Sequence, residues 1–376
     1  MKLPAPPTFR SPLHHPRVAT VLGRWLGTTV VVCFLTGLYS HFLQDTPSWL
    51  PVPSRPANLY RVTQGLHVIS GTVAVPLLLA KLWTVYPKLF AKPNLKAVGQ
   101  LIERLSILVL VSSMALELFI GFVNTLQWYP WPFPFRQTHH ALAWIIVGAL
   151  LVHLAVKLPL IRANWRRARE PVPESLPPEV TGLTRRGLFR TVAGAAALVG
   201  VTTAGQSVTP LGSVAVLAPR KPGIGPQGLP VNRTAEAAGV TGIDADWRFT
   251  IMGPRQLSYT LDELRALPQS RSALPIACVE GWSQGARWEG VRMRDLLSLC
   301  GAPAGSRVRV VSMEKGGFYA TSELPEEFAS DPLTLLALRL NGSELALDHG
   351  FPARIIAPNR PGVLQTKWVH RLEVIA

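Results

Sequence analysis

Four long apolar stretches, residues 21–43, 59–86, 105–128 and 141–161, dominate the first part of the chain and restrict what it can fold into. Each reaches the roughly 20 residues that a helix needs to cross a bilayer. A helix on a water-soluble core would interrupt such a run with a polar face at helical spacing, but these are apolar nearly all round. They are therefore expected to be membrane spans.

The formal charge is +16 and the mean hydropathy is nevertheless positive, which requires the charge to be segregated from the apolar sequence. It gathers beside the apolar runs. Lys2, Arg10, Arg17 and Arg24 precede or open the first, and Lys88, Lys92, Lys96 and Arg104 lie between the second and third. Arg162, Arg166, Arg167 and Arg169 follow the fourth. The other two loops hold Trp49, Tyr60, Trp128, Tyr129 and Trp131. Lys and Arg mark cytoplasmic loops and Trp and Tyr mark the interface, so both ends of the four-helix unit are expected inside. The same distribution argues against nucleic acid as a partner, because no basic, aromatic-interleaved patch forms. Three cysteines, Cys33, Cys278 and Cys300, exclude a disulfide framework.

After a linker at 170–181 comes Thr184-Arg185-Arg186-Gly187-Leu188-Phe189-Arg190 and an Ala/Gly-rich apolar stretch to about residue 217. The motif resembles a twin-arginine export signal. The plainer reading is two arginines flanking a fifth span. Both start the fifth helix inside and put the C-terminal remainder of the chain outside. From about residue 220 Pro and Gly become frequent and apolar runs shorten to strand length. Strands are expected at 307–312 and 353–357, and short helices at 261–267 and 293–299. The division is thus 1–165 membrane bundle, 166–219 linker with the fifth helix, and 220–376 an α+β domain.

Ile276-Ala277-Cys278-Val279-Glu280-Gly281-Trp282-Ser283 places one cysteine after a short apolar strand and before a glycine-containing turn. A thiolate held there is a natural anchor for a transition metal whose other ligands come from a cofactor. The sequence Cys-Val-Glu-Gly-Trp-Ser resembles the signature of the sulfite-oxidase superfamily of molybdopterin enzymes. It is closest to the bacterial branch that includes the periplasmic methionine-sulfoxide reductase catalytic subunit. The resemblance runs from about Gly228 to the C-terminus, and Trp288 and Gly290 fit it.

With the apolar runs already read as spans, the expected fold is a membrane four-helix bundle plus a fifth helix, followed by what the resemblance implies, an α+β sulfite-oxidase-like molybdopterin domain. It makes Cys278 the catalytic molybdenum ligand. In Asp348-His349-Gly350-Phe351-Pro352-Ala353-Arg354 it assigns His349 and Arg354 to the pterin and its phosphate, with histidine standing where the related reductase has an amide. It places Gln365, Thr366 and Lys367 around the phosphate, and Asn232, Ala235 and Glu236 in a cofactor-contacting loop. Independently, Arg354, Arg360 and Lys367 lie in a Gly/Pro-rich stretch, the type of segment that supplies cations and N–H donors to a phosphate. Dedicated sulfite oxidases follow the cysteine with a basic cluster. Here Val279, Glu280 and Gly281 follow it, which speaks against sulfite unless Arg271 or Arg287 folds back.

Histidines within membrane spans are candidates for function. His41 ends the first span, His67 lies in the second, and His139 and His153 share one face of the fourth about 21 Å apart. His140 points elsewhere. The pattern resembles four-helix b-type cytochromes, so His67 and His139 are expected to bind an outer haem. His153 is an inner candidate with no obvious partner beyond His14 and His15. The alternative is histidines without any cofactor.

The expectation is a multi-pass protein of the bacterial cell membrane with an extracytoplasmic molybdenum active site for a small-molecule substrate. It is expected to exchange electrons through a membrane haem with the quinone pool, or with a redox protein. A haem-free anchor served by a soluble carrier, and a cofactor-free binding domain on a membrane stalk, are the alternatives.

Overall fold

The computed structural model describes residues 12–47, 49–89, 98–165, 183–218 and 220–375. Lys2, Arg10, Lys92, Lys96, Arg166, Arg167, Arg169 and the linker at 170–181 lie outside the described residues. Five helices are long and apolar enough to cross a membrane: α1 (Pro16–Gln44), α2 (Leu59–Leu89), α3 (Val98–Thr125), α4 (Phe135–Ala163) and α5 (Arg185–Ala204). The first, second and fourth extend beyond the expected spans, whereas α3 starts seven residues earlier and stops at Thr125, three residues short of the expected end.

The fifth departs from expectation. The apolar stretch continues to about residue 217, but the helix stops at Ala204 and a 3-10 turn follows at Thr209–Val214. The cause is a reversal at Gly205. A Cβ there would collide with the Leu211 carbonyl oxygen, so the chain folds back on itself where only glycine fits.

Residue contacts divide the chain into two units. One comprises Met1–Leu35 and Val68–Thr203. Its apolar contacts are shared among several helices. Val18 and Leu22 of α1, Leu77 of α2, and Leu188 and Val192 of α5 form one cluster, and Leu78, Met114 and Ile146 join α2, α3 and α4 in another.

The second unit comprises Thr36–His67 and Ala204–Ala376. It holds two five-stranded sheets. In the first, β1 (Phe249–Met252) lies between β2 (Leu257–Tyr259) and β10 (Val369–Ile375), followed by β5 (Arg307–Ser312) and β6 (Thr321–Leu324). Only the β1–β10 pairing is parallel. The alternation of β5 explains its placement: Val308 and Val310 are buried while Arg307 and Arg309 face solvent.

The second sheet runs β3 (Ser270–Ala277), β4 (Ser283–Arg292), β7 (Leu335–Leu340) and β8 (Ser343–Glu344), with β9 (Arg354–Ile356) also pairing antiparallel with β7. Central β7 buries every residue except Arg339. Three short helices, α6 (Leu261–Ala266), α7 (Met293–Leu299) and α8 (Glu326–Ala329), cover the core through Leu264, Met293, Leu296 and Phe328. A capping box starts α6, with the Glu263 N–H donating to Thr260 Oγ1 at 3.2 Å and the Thr260 N–H to Glu263 Oε2 at 2.7 Å.

The segment 36–67 is part of this core. Leu43, Val52 and Tyr60 are buried in the cluster that contains Phe249, Met293 and Leu372. Arg55 grips the buried Asp331 with two hydrogen bonds of 2.8 and 2.9 Å, and the Ser54 hydroxyl adds a third at 2.8 Å.

Candidate functional site

Strand β3 delivers the chain to Cys278 and β4 leaves from Ser283, so the cysteine opens the turn of a hairpin. Within the turn the Gly281 N–H donates to the Cys278 carbonyl at 3.0 Å and the Cys278 N–H to the Trp282 carbonyl at 2.9 Å. Cys278 is fully buried with Leu274, Ile276, Trp282, Trp288 and Ile356. Glu280 is also buried and accepts from Trp282 Nε1 at 3.0 Å. Burial pushes the Cys278 thiol well above its ordinary value, and the Glu280 carboxylate adds to the push. Such a thiol stays protonated and inert unless a cation takes the proton's place, which suits a metal ligand better than a free nucleophile.

Three cations are buried in the same unit: Arg354 at 2% exposure, Arg360 at 5% and Lys367 at 8%. Among the described residues none forms an ion pair; their partners are neutral carbonyls. Arg354 donates to the His349 and Gln365 carbonyls at 3.0 and 3.2 Å and lies over the Trp288 ring at 5.0 Å. Its Nε is buried with no hydrogen-bond partner among the described residues. Arg360 donates to the Leu364 carbonyl at 3.0 Å and to that of Glu323. Lys367 donates to the Arg233 and Asp348 carbonyls, both at 2.8 Å.

Burial draws Arg354 down to about 9 and Arg360 to about 10. Lys367 falls to about 7, by burial first and then by the Arg354 charge. Uncompensated buried charges cost several kcal/mol each, so the arrangement makes sense around a bound polyanion. The open Arg354 Nε and the buried thiol together fit a phosphate-bearing, metal-carrying cofactor.

The other expected site residues gather around these cations. His349 is buried, with Nε2 2.8 Å from the Pro226 carbonyl oxygen. Burial draws its imidazolium down to about 4, so the ring is neutral, donates from Nε2 and keeps its Nδ1 lone pair. The Ala235 N–H donates to Asp348 Oδ1 at 2.8 Å, and with the Lys367–Arg233 contact this ties the 232–236 loop to the 348–354 segment. In that loop Asn232 is half-buried, Ala235 buried and Glu236 exposed.

The side chains of Gln365 and Thr366 are engaged within the protein. Gln365 accepts from the Ala357 N–H at 3.0 Å and donates to the Arg360 carbonyl at 3.2 Å, and the Thr366 and Ser322 hydroxyls are 2.7 Å apart. They shape the loop that presents the cations. Arg271 and Arg287 do not fold back. Both are exposed on the β3–β4 hairpin, and Arg271 pairs with Glu289 at 3.0 Å.

Sequence reasoning missed the contribution of residues 36–67. Asn359 accepts from the Tyr60 N–H at 2.8 Å and donates to the Tyr39 hydroxyl at 3.0 Å and the Pro53 carbonyl at 2.7 Å. The signal available was weak: a tyrosine at each end of a loop between two apolar runs.

Of the histidines, His67 lies so close to α1 that a Cβ at Gly37 would sit 2.7 Å from its ring. His139 on α4 stacks on Phe135 with ring centres 4.9 Å apart and meets Gly121, where a Cβ would lie 3.3 Å away. His139 Nδ1 is 3.2 Å from Glu117 Oε1. His153 Nδ1 is buried with no hydrogen-bond partner among the described residues. His140 accepts from Trp144 Nε1 at 3.0 Å. Glu117 was legible in the sequence as a carboxylate inside a span and was overlooked. Cys300 caps α7, buried, with its thiol 3.2 Å from the Leu297 carbonyl oxygen, as packing at a helix end predicts.

A buried thiol and buried cations that, among the described residues, have only neutral partners suit an anionic, metal-bearing cofactor, and comparisons with known proteins bear on this. Residues 237–376 match the family of the oxidoreductase molybdopterin binding domain. A protein named as protein-methionine-sulfoxide reductase subunit YedZ1, from Azospira oryzae, is 35% identical over 117 residues, covering 31% of this chain and 44% of that one. The mitochondrial sulfite oxidase of Rattus norvegicus is 31% identical over 180 residues, covering 39% of this chain and 32% of the oxidase. This chain thus spans less than half the length of either relative. The crystal structure of the sulfane dehydrogenase SoxCD from Paracoccus pantotrophus aligns at 24% identity over 35% of this chain and 40% of that one. Its TM-score of 0.32 is too low to bear on the fold. Residues 237–376 thus match a molybdopterin-binding oxidoreductase domain, and the similarity to a sulfite oxidase and to a methionine-sulfoxide reductase subunit supports a molybdenum oxidoreductase.

Proposed function

We propose that the chain is a multi-pass protein of the bacterial cell membrane whose extracytoplasmic domain, residues 220–376, reacts with a small oxo-acceptor or oxo-donor substrate. The observation that carries this reading is the burial of Cys278 together with three cations that have no carboxylate partner among the described residues. Cys278 holds molybdenum, and Arg354, Arg360 and Lys367 hold the anionic end of the molybdopterin. His349 and the 232–236 loop border the pterin. When bound, this cofactor supplies two-electron chemistry by oxygen-atom transfer.

The protein's own part is to bury the thiol so that only the metal displaces its proton, and to keep fixed charges around the phosphate. A sulfoxide-type substrate suits the turn better than sulfite, because Val279, Glu280 and Gly281 offer no cation and Arg271 and Arg287 are exposed.

Electrons are exchanged with the quinone pool through a b-type haem held by His67 and His139. The support is steric and electrostatic. Gly37 and Gly121 leave room for the two rings, and Glu117 lies at His139 Nδ1. Histidines that bind metals commonly present the other ring nitrogen to a carboxylate, which leaves Nε2 for iron. His153 lacks such a neighbour in this role. Arg185 and Arg186 at the start of α5 act as the twin-arginine export signal.

Metal analysis and an absorption spectrum of detergent-purified protein test both halves. Molybdenum that is lost in Cys278→Ser together with activity supports the site; retained turnover in the serine variant defeats it. Absence of a Soret band in wild-type protein expressed with ample haem supports the anchor reading and leaves the molybdenum site standing.

A further inference from the structure

The Cys278–Trp282 turn is held from chain outside the matched 237–376 domain. Gln64 Nε2 donates to the Val279 carbonyl at 2.7 Å and the Ser207 hydroxyl to the Gly281 carbonyl at 2.7 Å. The Ser283 N–H donates to the Gln206 carbonyl at 2.9 Å, and Arg61 Nε to the Ser283 hydroxyl at 3.0 Å. A second Arg61 nitrogen donates to the Ser207 carbonyl at 2.8 Å, which joins the two holding segments to each other. Hydrogen bonds inside the turn use the Cys278 and Trp282 carbonyls, and the side chains of Gln64 and Ser207 serve two of the three that remain, those of Val279 and Gly281.

Gln64 is 4% exposed, and its Oε1 is buried with no partner among the described residues. Only its N–H₂ group answers the Val279 carbonyl, because an oxygen turned that way would face another acceptor. An unpaired buried acceptor is costly, and retaining one is expected where the donor on the same side chain has a task. Without that donor the Val279 carbonyl would be left unsatisfied at about 1–3 kcal/mol, enough to turn the peptide that follows Cys278.

We propose that Gln64 is a positioning residue for the Cys278 thiolate, fixing the metal-ligand turn through Val279. The inference rests on Cys278 being the molybdenum ligand. It makes the direction of the thiolate depend on the first two turns of α2. His67 comes three residues later on the same helix face, so the element that sets the thiolate also bears the proposed haem ligand.

The test uses full-length, cofactor-loaded protein with Gln64→Leu, which removes the donor and keeps the bulk. Molybdenum content is measured together with the molybdenum EPR spectrum of reductively titrated samples. Turnover is measured with a soluble artificial reductant that bypasses the membrane helices. The expected result is near-wild-type molybdenum content, displaced g-values, and kcat lowered about 10- to 100-fold, the usual effect of removing an outer partner of a metal ligand. KM should change little.

An unchanged spectrum and kcat in Gln64→Leu overturns the inference. If that variant is not recovered folded, Gln64→Met removes the same donor with a more adaptable side chain, and wild-type g-values in it overturn the inference equally. A wild-type protein without molybdenum, or a spectrum that survives Cys278→Ser, would instead remove the reading beneath it.

Discussion

Replacing Lys367 with methionine removes one buried cation while keeping most of the side chain's volume. Burial, followed by the Arg354 charge, draws the ammonium from its ordinary 10.5 to about 7, against the opposing pull of Asp348, Cys278 and Glu314. That difference corresponds to roughly 5 kcal/mol of destabilisation of the cofactor-free fold at pH 7 and below, to order of magnitude. The folded value lies below the unfolded one, so the unfolded chain binds more protons between about pH 7 and 10.5. Stability of the cofactor-free protein must therefore rise as pH climbs through that window, by about 1.4 kcal/mol per pH unit at most. For a unit of this size this is roughly 3–6 °C in Tm per pH unit. Lys367→Met loses this dependence. It also leaves the Arg233 and Asp348 carbonyls without a donor, an offset of about 1–3 kcal/mol each that does not vary with pH. Scanning fluorimetry in detergent on protein made without molybdopterin gives the comparison. The wild-type Tm should gain on that of the variant from pH 7 to pH 10. Parallel pH profiles for the two proteins would refute the claim that Lys367 is a charge stranded without its anion.

Three further outcomes are expected. His139→Ala should abolish or displace the Soret band while His140→Ala spares it, because only His139 lies between Phe135, Gly121 and Glu117. Asp331→Asn should destabilise the protein by about 1–3 kcal/mol near neutral pH, discounted because Arg55 is half-exposed. Burial would raise the Asp331 carboxyl, but Arg55, the Leu333 N–H and Ser54 together hold it below its ordinary 3.8, so this stability is present above that value and lost as pH falls through the lower folded value. A denaturation midpoint difference that does not begin to shrink as pH falls below 3.8 would contradict it. A reporter fused after Ala376 should be active only outside the cytoplasm, and Arg185→Lys with Arg186→Lys should block its export. Normal export of the double variant would remove the twin-arginine reading alone.

The elements most legible in the sequence were those whose pattern is local. Residues 293–299 read as a helix and form α7; 307–312 read as a strand and form β5. The five apolar helices were legible because length and composition alone define them. The end of α5 was not, since it is stopped by a carbonyl brought back from Leu211, a contact that hydropathy does not encode. The membership of residues 36–67 in the second unit was equally hidden. Their apolar character reads as span, and the partners that claim them, Asp331 and Asn359, are some 270 to 320 residues away in sequence.

The site divides along the same line. Cys278 was legible because a strand, a cysteine and a turn are adjacent in the chain, and the buried cations because Arg354, Arg360 and Lys367 fall within one Gly/Pro-rich stretch. The contacts that hold the thiol's turn are of another kind. Arg61, Gln64 and His67 recur every third residue at the start of an apolar run, a polar stripe that by itself looks like the wet end of a helix. Its meaning depends on Val279 and Ser283, more than two hundred residues away in sequence. A motif therefore locates the proposed metal ligand, whereas the turn that bears it is hydrogen-bonded by residues the motif does not contain. Hydrogen exchange at Val279–Trp282 should accordingly be faster in full-length Gln64→Leu than in the wild-type chain, and equal exchange would mean that the hairpin orients its cysteine without α2.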